Sequence, residues 1–179
     1  MIETSRLVLS RPAVADADEV FRRYASDPDV TRYLNWPRHR SIGDTRAFLS
    51  WSDGEWERWP AGPYLIRSRE SGKLLGGTGL SFHTFQEAMS GYVLAKDAWG
   101  KGYATEALAA MVTLAWQLEV EWLFALCHPD HAASIHVLEK CQFVRDPGGT
   151  RAVEFPNLSP GQPIDAACFA RSRPDRDEI

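Results

Sequence analysis

Apolar and polar residues alternate from Thr4 to Ser10 (TSRLVLS), a period of two that predicts a first strand. The period then lengthens. Val20, Phe21 and Tyr24 share one helical face behind a D-x-x-E start at Asp16 and Glu19, and Asp27-Pro28 closes this helix. Ser41 and Asp44 repeat the capping pattern ahead of Phe48, Leu49, Trp51 and Trp56. The run Trp59-Pro60-Ala61-Gly62-Pro63 breaks that second helix.

Past the break the period returns to two. Tyr64–Arg69, Leu74–Phe82 and Ser90–Ala95 read as three strands, the first pair joined by the turn-like Glu70-Ser71-Gly72-Lys73. A helix beginning near Tyr103 carries Ala104, Leu108, Met111, Val112 and Ala115 on one face. Trp122–Cys127 (WLFALC) is continuously apolar, the mark of a strand buried on both faces. Pro129-Asp130 opens another helix with Ile135, Leu138 and Glu139. Gln142–Val144 and Ala166–Ala170 read as closing strands, and the polar end, residues 172–179, is expected to fray. A meander feeding a β–α–β–α unit is a mixed α/β layout. One domain over residues 1–171 is expected, with no repeat and no linker.

Composition narrows the function. The 179 residues are 44% hydrophobic and 25% charged, ordinary for a globular protein with a real core. No apolar run approaches the roughly 18 residues of a membrane span, and the N-terminus lacks the apolar core of a secretory signal. The cysteines Cys127, Cys141 and Cys168 form an odd set without framework spacing, which fits a reducing, cytoplasmic compartment. Net charge is −4, so no nucleic-acid partner is expected, and the acidic balance suits an amine better.

The stretch DAWGKGYATEAL, residues 97–108, joins a strand to a helix through two glycines. Bare N–H groups at a helix start, beside glycines that admit an anion closely, form a phosphate cradle. A Walker loop is absent, and Thr105 stands where a dinucleotide fingerprint needs its third glycine. A plain glycine turn is the simpler alternative.

The segment GYVLAKDAWGKGYATEAL resembles the acyl-CoA signature of the Gcn5-related N-acetyltransferase (GNAT) superfamily. ETSRLVLSRP, TRYLNWPRHRSIGDTRAFL and HPDHAASIHVLEKCQF resemble its branch of ribosomal-protein N-terminal acetyltransferases, in order, over most of residues 1–145. The motif Q/R-x-x-G-x-G/A falls on Trp99 to Ala104, with Trp99 departing from Gln/Arg. The resemblance implies a mostly antiparallel mixed sheet, flanked by helices, with a splayed parallel pair formed by Ser90–Ala95 and Trp122–Cys127. It implies acetyl-CoA as co-substrate. Val93, Leu94 and Ala95 would offer main-chain groups to the pantetheine arm. Gly100, Lys101, Gly102, Tyr103, Ala104 and Thr105 would hold the pyrophosphate, with Lys101 at the rim. His131 stands where asparagine usually contacts the arm, and Gln142 where glycine usually ends the helix.

The same resemblance places Ser134 near the leaving thiol as a hydrogen-bond donor and the Leu94 N–H at the thioester carbonyl. The general base is open among Glu87, His83 and Glu55. Trp36, in the WPRHR loop, is expected to face an acceptor pocket walled by aromatic side chains, in which His83 and Glu87 are further candidates. Cys127, His128, His131, His136 and Cys141 lack paired ligand spacing, so no metal is expected. The expected activity is N-acetylation of a primary amine, a peptide N-terminus or a small molecule, by a monomer or homodimer. The alternatives are an acyl-CoA-binding protein with little catalysis and a partner-binding module on the same fold.

Overall fold

A computed structural model describes residues 1–174 apart from Pro147 and Thr150. In chain order the described elements are β1 (Ile2–Glu3), β2 (Leu7–Ser10), α1 (Ala17–Val20), α2 (Pro28–Thr31), α3 (Ile42–Arg58), β3 (Pro63–Ser68), β4 (Leu74–Phe82), β5 (Glu87–Leu94), α4 (Tyr103–Gln117), β6 (Trp122–Cys127), α5 (Ala132–Lys140), β7 (Val144–Arg145), β8 (Arg151–Val153) and β9 (Ile164–Ser172). The strands form one mixed sheet in the order β1-β2-β3-β4-β5-β6-β9-β7, with β8 also on β9. Every described pairing is antiparallel except that of β5 with β6. Of the expected frayed tail, Ser172 closes β9 opposite Trp122 and Arg173 N–H reaches Glu121 O. Residues 175–179 lie outside the described residues.

The long strands follow their hydrophobic pattern. β4 and β6 occupy the expected residues, although Trp122 at the start of β6 stays 38% exposed. β5 starts three residues earlier than expected, at Glu87. Glycine in β4 serves close approach: a Cβ on Gly76 would lie 2.0 Å from the Val93 carbonyl oxygen. One face of the sheet packs α4 and α5 through Leu108, Met111 and Leu138. The other face packs α1 and the turn after it through Val20, Tyr24 and Ala25 against Leu65 and Leu74.

The first helical region differs from its pattern. It breaks into a 3-10 turn at Val14–Asp16, α1, and a π turn at Phe21–Ala25. Asp16 holds the N-cap position of α1, but its side chain makes no cap hydrogen bond there. Its carboxylate accepts the Ala13 N–H (2.8 Å) and, with Glu19, grips Arg67 at 2.8 Å each. Asp27 starts α2 instead of closing a helix, accepting the N–H groups of Asp29 and Val30, because Pro28 lacks an N–H and fits a first turn. At α3 the expected capping box of Ser41 and Asp44 is present.

Helices α4 and α5 end alike. Val120 N–H bonds Ala115 O while Glu119 N–H bonds Trp116 O, and Phe143 with Gln142 repeats the pattern on Leu138 and Glu139. This is the Schellman arrangement, with Glu119 (φ 62°) and Gln142 (φ 63°) left-handed where glycine is usual. No described helix is long and apolar enough to cross a membrane.

Candidate active site

β5 and β6 pair only at Glu87↔Trp122, Ala88↔Leu123 and Met89↔Phe124. Beyond Met89, β5 continues on β4 to Leu94 while β6 continues on β9 to Cys127. Each strand follows its own antiparallel partner and the parallel seam opens. Ala95 N–H bonds Leu75 O at 2.8 Å. Main-chain groups alternate in direction along a strand, so Val93 and Ala95 face β4 and Leu94 faces the open seam. Of the three residues expected to offer main-chain groups, Leu94 alone has them on that side. The Leu94 carbonyl accepts the Trp99 indole N–H at 2.8 Å, which gives Trp99 a role in closing the following turn.

That turn carries Gly100 at φ 72° and Gly102 at φ 78°. Gly102 is the N-cap of α4 and supplies no side-chain cap, so the first N–H groups of Tyr103, Ala104 and Thr105 lack intrahelical partners. A Cβ on Gly100 would meet nothing within 4 Å; its glycine serves the dihedral rather than space. Lys101 is exposed. Glu106 anchors the helix start to the N-terminal strands. Its carboxylate accepts Thr4 Oγ1 (2.6 Å), Ser5 Oγ (3.0 Å), Arg6 N (2.8 Å) and Arg6 Nε (2.6 Å). Burial raises the pKa of this carboxyl, but those hydrogen bonds outweigh it and hold the value at about 2. Arg6 also donates to Lys101 O (2.9 Å) and lies over the Tyr103 ring. Nothing local marks Arg6 for this role, because its partners lie about a hundred residues away.

A cavity of about 900 Å³ passes through the open seam. On the α5 side it reaches Tyr92, Cys127, Ser134 and Leu138; on the other, Trp36, Phe48 and Trp51. The Tyr92 hydroxyl donates to the Ser134 carbonyl (3.1 Å) and lies 2.9 Å from Ser134 Oγ, where either hydroxyl can donate. Burial pushes the Tyr92 phenol well up, against the lowering bond from Ser134, so it stays protonated. Cys127 is likewise raised by burial, to about 11, and is no thiolate nucleophile. His131, N-cap residue of α5, stacks on Tyr33 at 4.6 Å and 21°. Burial and then His128 lower its pKa, keeping the ring neutral. Among the described residues no group of three His, Cys, Asp or Glu is placed to hold a metal.

Trp36 lines the cavity, as do Val93, His131 and Ser134, whereas Leu94, Ala95 and residues 100–105 do not. His83 and Glu87 do not line it. His83 packs edge-on against Phe124 at 5.3 Å, and Glu87 pairs with Arg151 at 3.3 Å. Glu55 is absent from the lining too; α3 contributes Asp44, Ala47, Phe48 and Trp51. His39 is the titratable side chain the pattern missed. Its Nδ1 lies 2.8 Å from the buried Thr45 Oγ1, and burial depresses its pKa against the raising effect of Asp44. The only signal was its place in WPRHR, where it reads as one more basic residue. Asn157 pins this wall: its amide donates to Thr31 O (2.8 Å) and Trp36 O (2.9 Å) and accepts Arg38 N–H (2.8 Å).

Known proteins resemble the chain along nearly its full length. An uncharacterized N-acetyltransferase, p20, of Bacillus licheniformis is 27% identical over 146 residues, covering 80% of this chain and 82% of that one. The structure of the microcin C7 self-immunity acetyltransferase MccE, in complex with acetyl-CoA and AMP, superposes with a TM-score of 0.82 at 19% identity, covering 95% and 94%. A Salmonella typhimurium acetyl transferase that modifies the N-terminal serine of ribosomal protein L7/L12 gives 0.81 at 20%, covering 96% and 97%. These two likenesses show the fold. The model of the acetyltransferase (GNAT) domain matches residues 6–144. With the open parallel seam and the glycine turn at the head of α4, that match over most of the chain means that it belongs to the GNAT acetyltransferase family.

Proposed function

We propose that the protein moves an acetyl group from acetyl-CoA to a primary amine by direct attack, without an acyl-enzyme. The observation that carries this reading is the alignment of the Leu94 edge, open where β5 leaves β6, with the bare helix start at Gly102. The Leu94 carbonyl, with a lone pair left beside its Trp99 bond, suits an amide N–H of a pantetheine arm, and the helix start suits a pyrophosphate. The acetyl-CoA named with the MccE structure supports the same choice.

The co-substrate supplies an activated thioester carbonyl. The amine nitrogen forms the new C–N bond, the C–S bond breaks, and the proton lost by the amine ends on the CoA sulfur. Leu94 N–H polarises the carbonyl oxygen as charge develops there. Ser134 Oγ, backed by Tyr92, gives a hydrogen bond to the departing sulfur. His131 lies against the arm as a neutral ring, where an imidazolium would carry its charge into a half-buried site. The L7/L12 N-terminus modified by the Salmonella relative is one acceptor of this chemical kind. Three buried thiols accord with work in the reducing cytoplasm. The assembly is a monomer or homodimer.

Thermal unfolding with and without acetyl-CoA tests the reading. Ligand at about a hundred times its dissociation constant should add roughly 2.7 kcal/mol and raise Tm by roughly 5–10 °C. Amine-dependent thiol release should follow. An unchanged Tm at millimolar acetyl-CoA overturns the proposal.

A further inference from the structure

Resting on the acetyltransferase reading, we propose that the acceptor is an amine carried on a flat aromatic body with no second positive charge. The half of the cavity away from α5 is built for such a shape. Trp36, His39, Phe48 and Trp51 form a continuous row of rings along its wall, with successive centroids 5.2, 6.3 and 5.9 Å apart. Flat rings spaced in this way offer faces and edges to another ring, and apolar area to exclude water. The row is graded from inside to outside: Trp36, His39 and Phe48 are half-buried, and Trp51 stands 51% exposed at its end.

Charge on the wall rejects a polycation. Asp44 is the one carboxylate among the described lining residues. Its Oδ2 already accepts the N–H groups of Arg40 and Ser41, as part of the cap of α3. Arg38 and Arg40 line the same cavity, and His39 is held neutral by burial. A ligand with several ammonium groups would need carboxylates that this wall does not provide, and would meet two guanidinium groups. A single amine, deprotonated to react, carries no such penalty, and an anionic substituent would be welcome.

The wall is also set in advance. Asn157 makes three hydrogen bonds to the main chain, at Thr31, Trp36 and Arg38, and His39 N–H bonds Ala25 O at 3.0 Å. A preformed wall selects a rigid, planar partner with little ordering cost.

Thiol release from acetyl-CoA, measured with tryptamine, phenethylamine, n-butylamine and spermidine, tests the class. The aromatic amines should exceed both aliphatic ones by about tenfold or more in kcat/KM. Phe48→Ala and Trp51→Ala should each raise KM for tryptamine severalfold to about tenfold, and raise KM for n-butylamine by a clearly smaller factor. Trp51 is exposed enough for its variant to fold, so one arm survives if Phe48→Ala does not. A preference for spermidine, or an equal loss for every amine in Trp51→Ala, overturns the proposal. If acetyl-CoA raises Tm but none of the four amines releases thiol, the aromatic class falls and the cofactor reading stands. If Tm does not move, both fall.

Discussion

Tyr92 and Ser134 meet across 42 residues of chain at one end of the cavity, and their two hydroxyls lie 2.9 Å apart. A serine hydroxyl left alone would rotate among several partners. Paired with a phenol that burial keeps protonated, it is held in place, and its proton is free for the sulfur when Tyr92 donates to Ser134 Oγ rather than to the Ser134 carbonyl. Tyr92→Phe should therefore lower kcat by about tenfold while leaving the KM for acetyl-CoA nearly unchanged; Ser134→Ala should lower it further, toward a hundredfold. A Tm and an acetyl-CoA-induced Tm shift equal to the parent's separate these from a loss of folded enzyme, which would also lower apparent kcat at unchanged KM. The N-x-x-S-like segment HAAS singled out Ser134 by its likeness to a family pattern, and Ser134 lines the cavity. Tyr92 was not singled out. Alternation along β5 tells which face a side chain takes, but not which turn of a facing helix its tip reaches. His39 was hidden for a related reason: its setting comes from Thr45 and Ala25, which approach only in three dimensions.

Elements show where local pattern succeeds. β4 and β6 were readable to the residue, β6 from its unbroken apolar run and β4 because the turn-like Glu70–Lys73 sets its start. The first helix was misread because its acidic residues hold Arg67 from β3, a tertiary use of a local capping signal. β8 was missed because its three residues, Arg151–Val153, carry no alternation and owe their form to pairing with β9. The helix ends carry a stability cost in plain view. Gln142 was suspected from sequence as a non-glycine at a position needing φ > 0, and it adopts 63°. Gln142→Gly should stabilise by about 1 kcal/mol, a rise in Tm of about 2–4 °C in a domain of this size. Calorimetry checks it; a fall in Tm would mean that the exposed Gln142 side chain contributes more than its backbone strain costs.

Glu106 gives the start of α4 a pH dependence. Its pKa is about 2 in the folded protein against an ordinary 4.5. The unfolded chain binds the proton more readily, so the stabilisation is complete above about pH 4.5 and is lost as pH falls toward 2. Glu106→Gln should flatten the fall in Tm across that window, and a parallel curve for variant and parent would contradict the anchoring role. The same change should raise the KM for acetyl-CoA, because Glu106 holds the Arg6 side chain that braces Lys101.

At the scale of the whole molecule, the sheet is two antiparallel halves joined by three residue pairs. Such a seam is a weak stitch in bonding terms, and the halves stay together through the helices that cross it on the α4 side. The overall layout was legible because meanders and β–α–β units leave periodic traces. The opening of the seam was not visible in any period; it came from likeness to relatives. Its width and lining depend on what β9 and the segment before it do to β6, and those residues read as little more than a closing strand.

The Asn157 clamp lies after residue 144, where the match to the acetyltransferase domain ends. The machinery for handling acetyl-CoA and the peg that sets the wall facing the amine thus occupy separate stretches of chain. Changes in the stretch around residue 157 would reshape the wall that Asn157 holds without altering the glycine turn or the parallel seam.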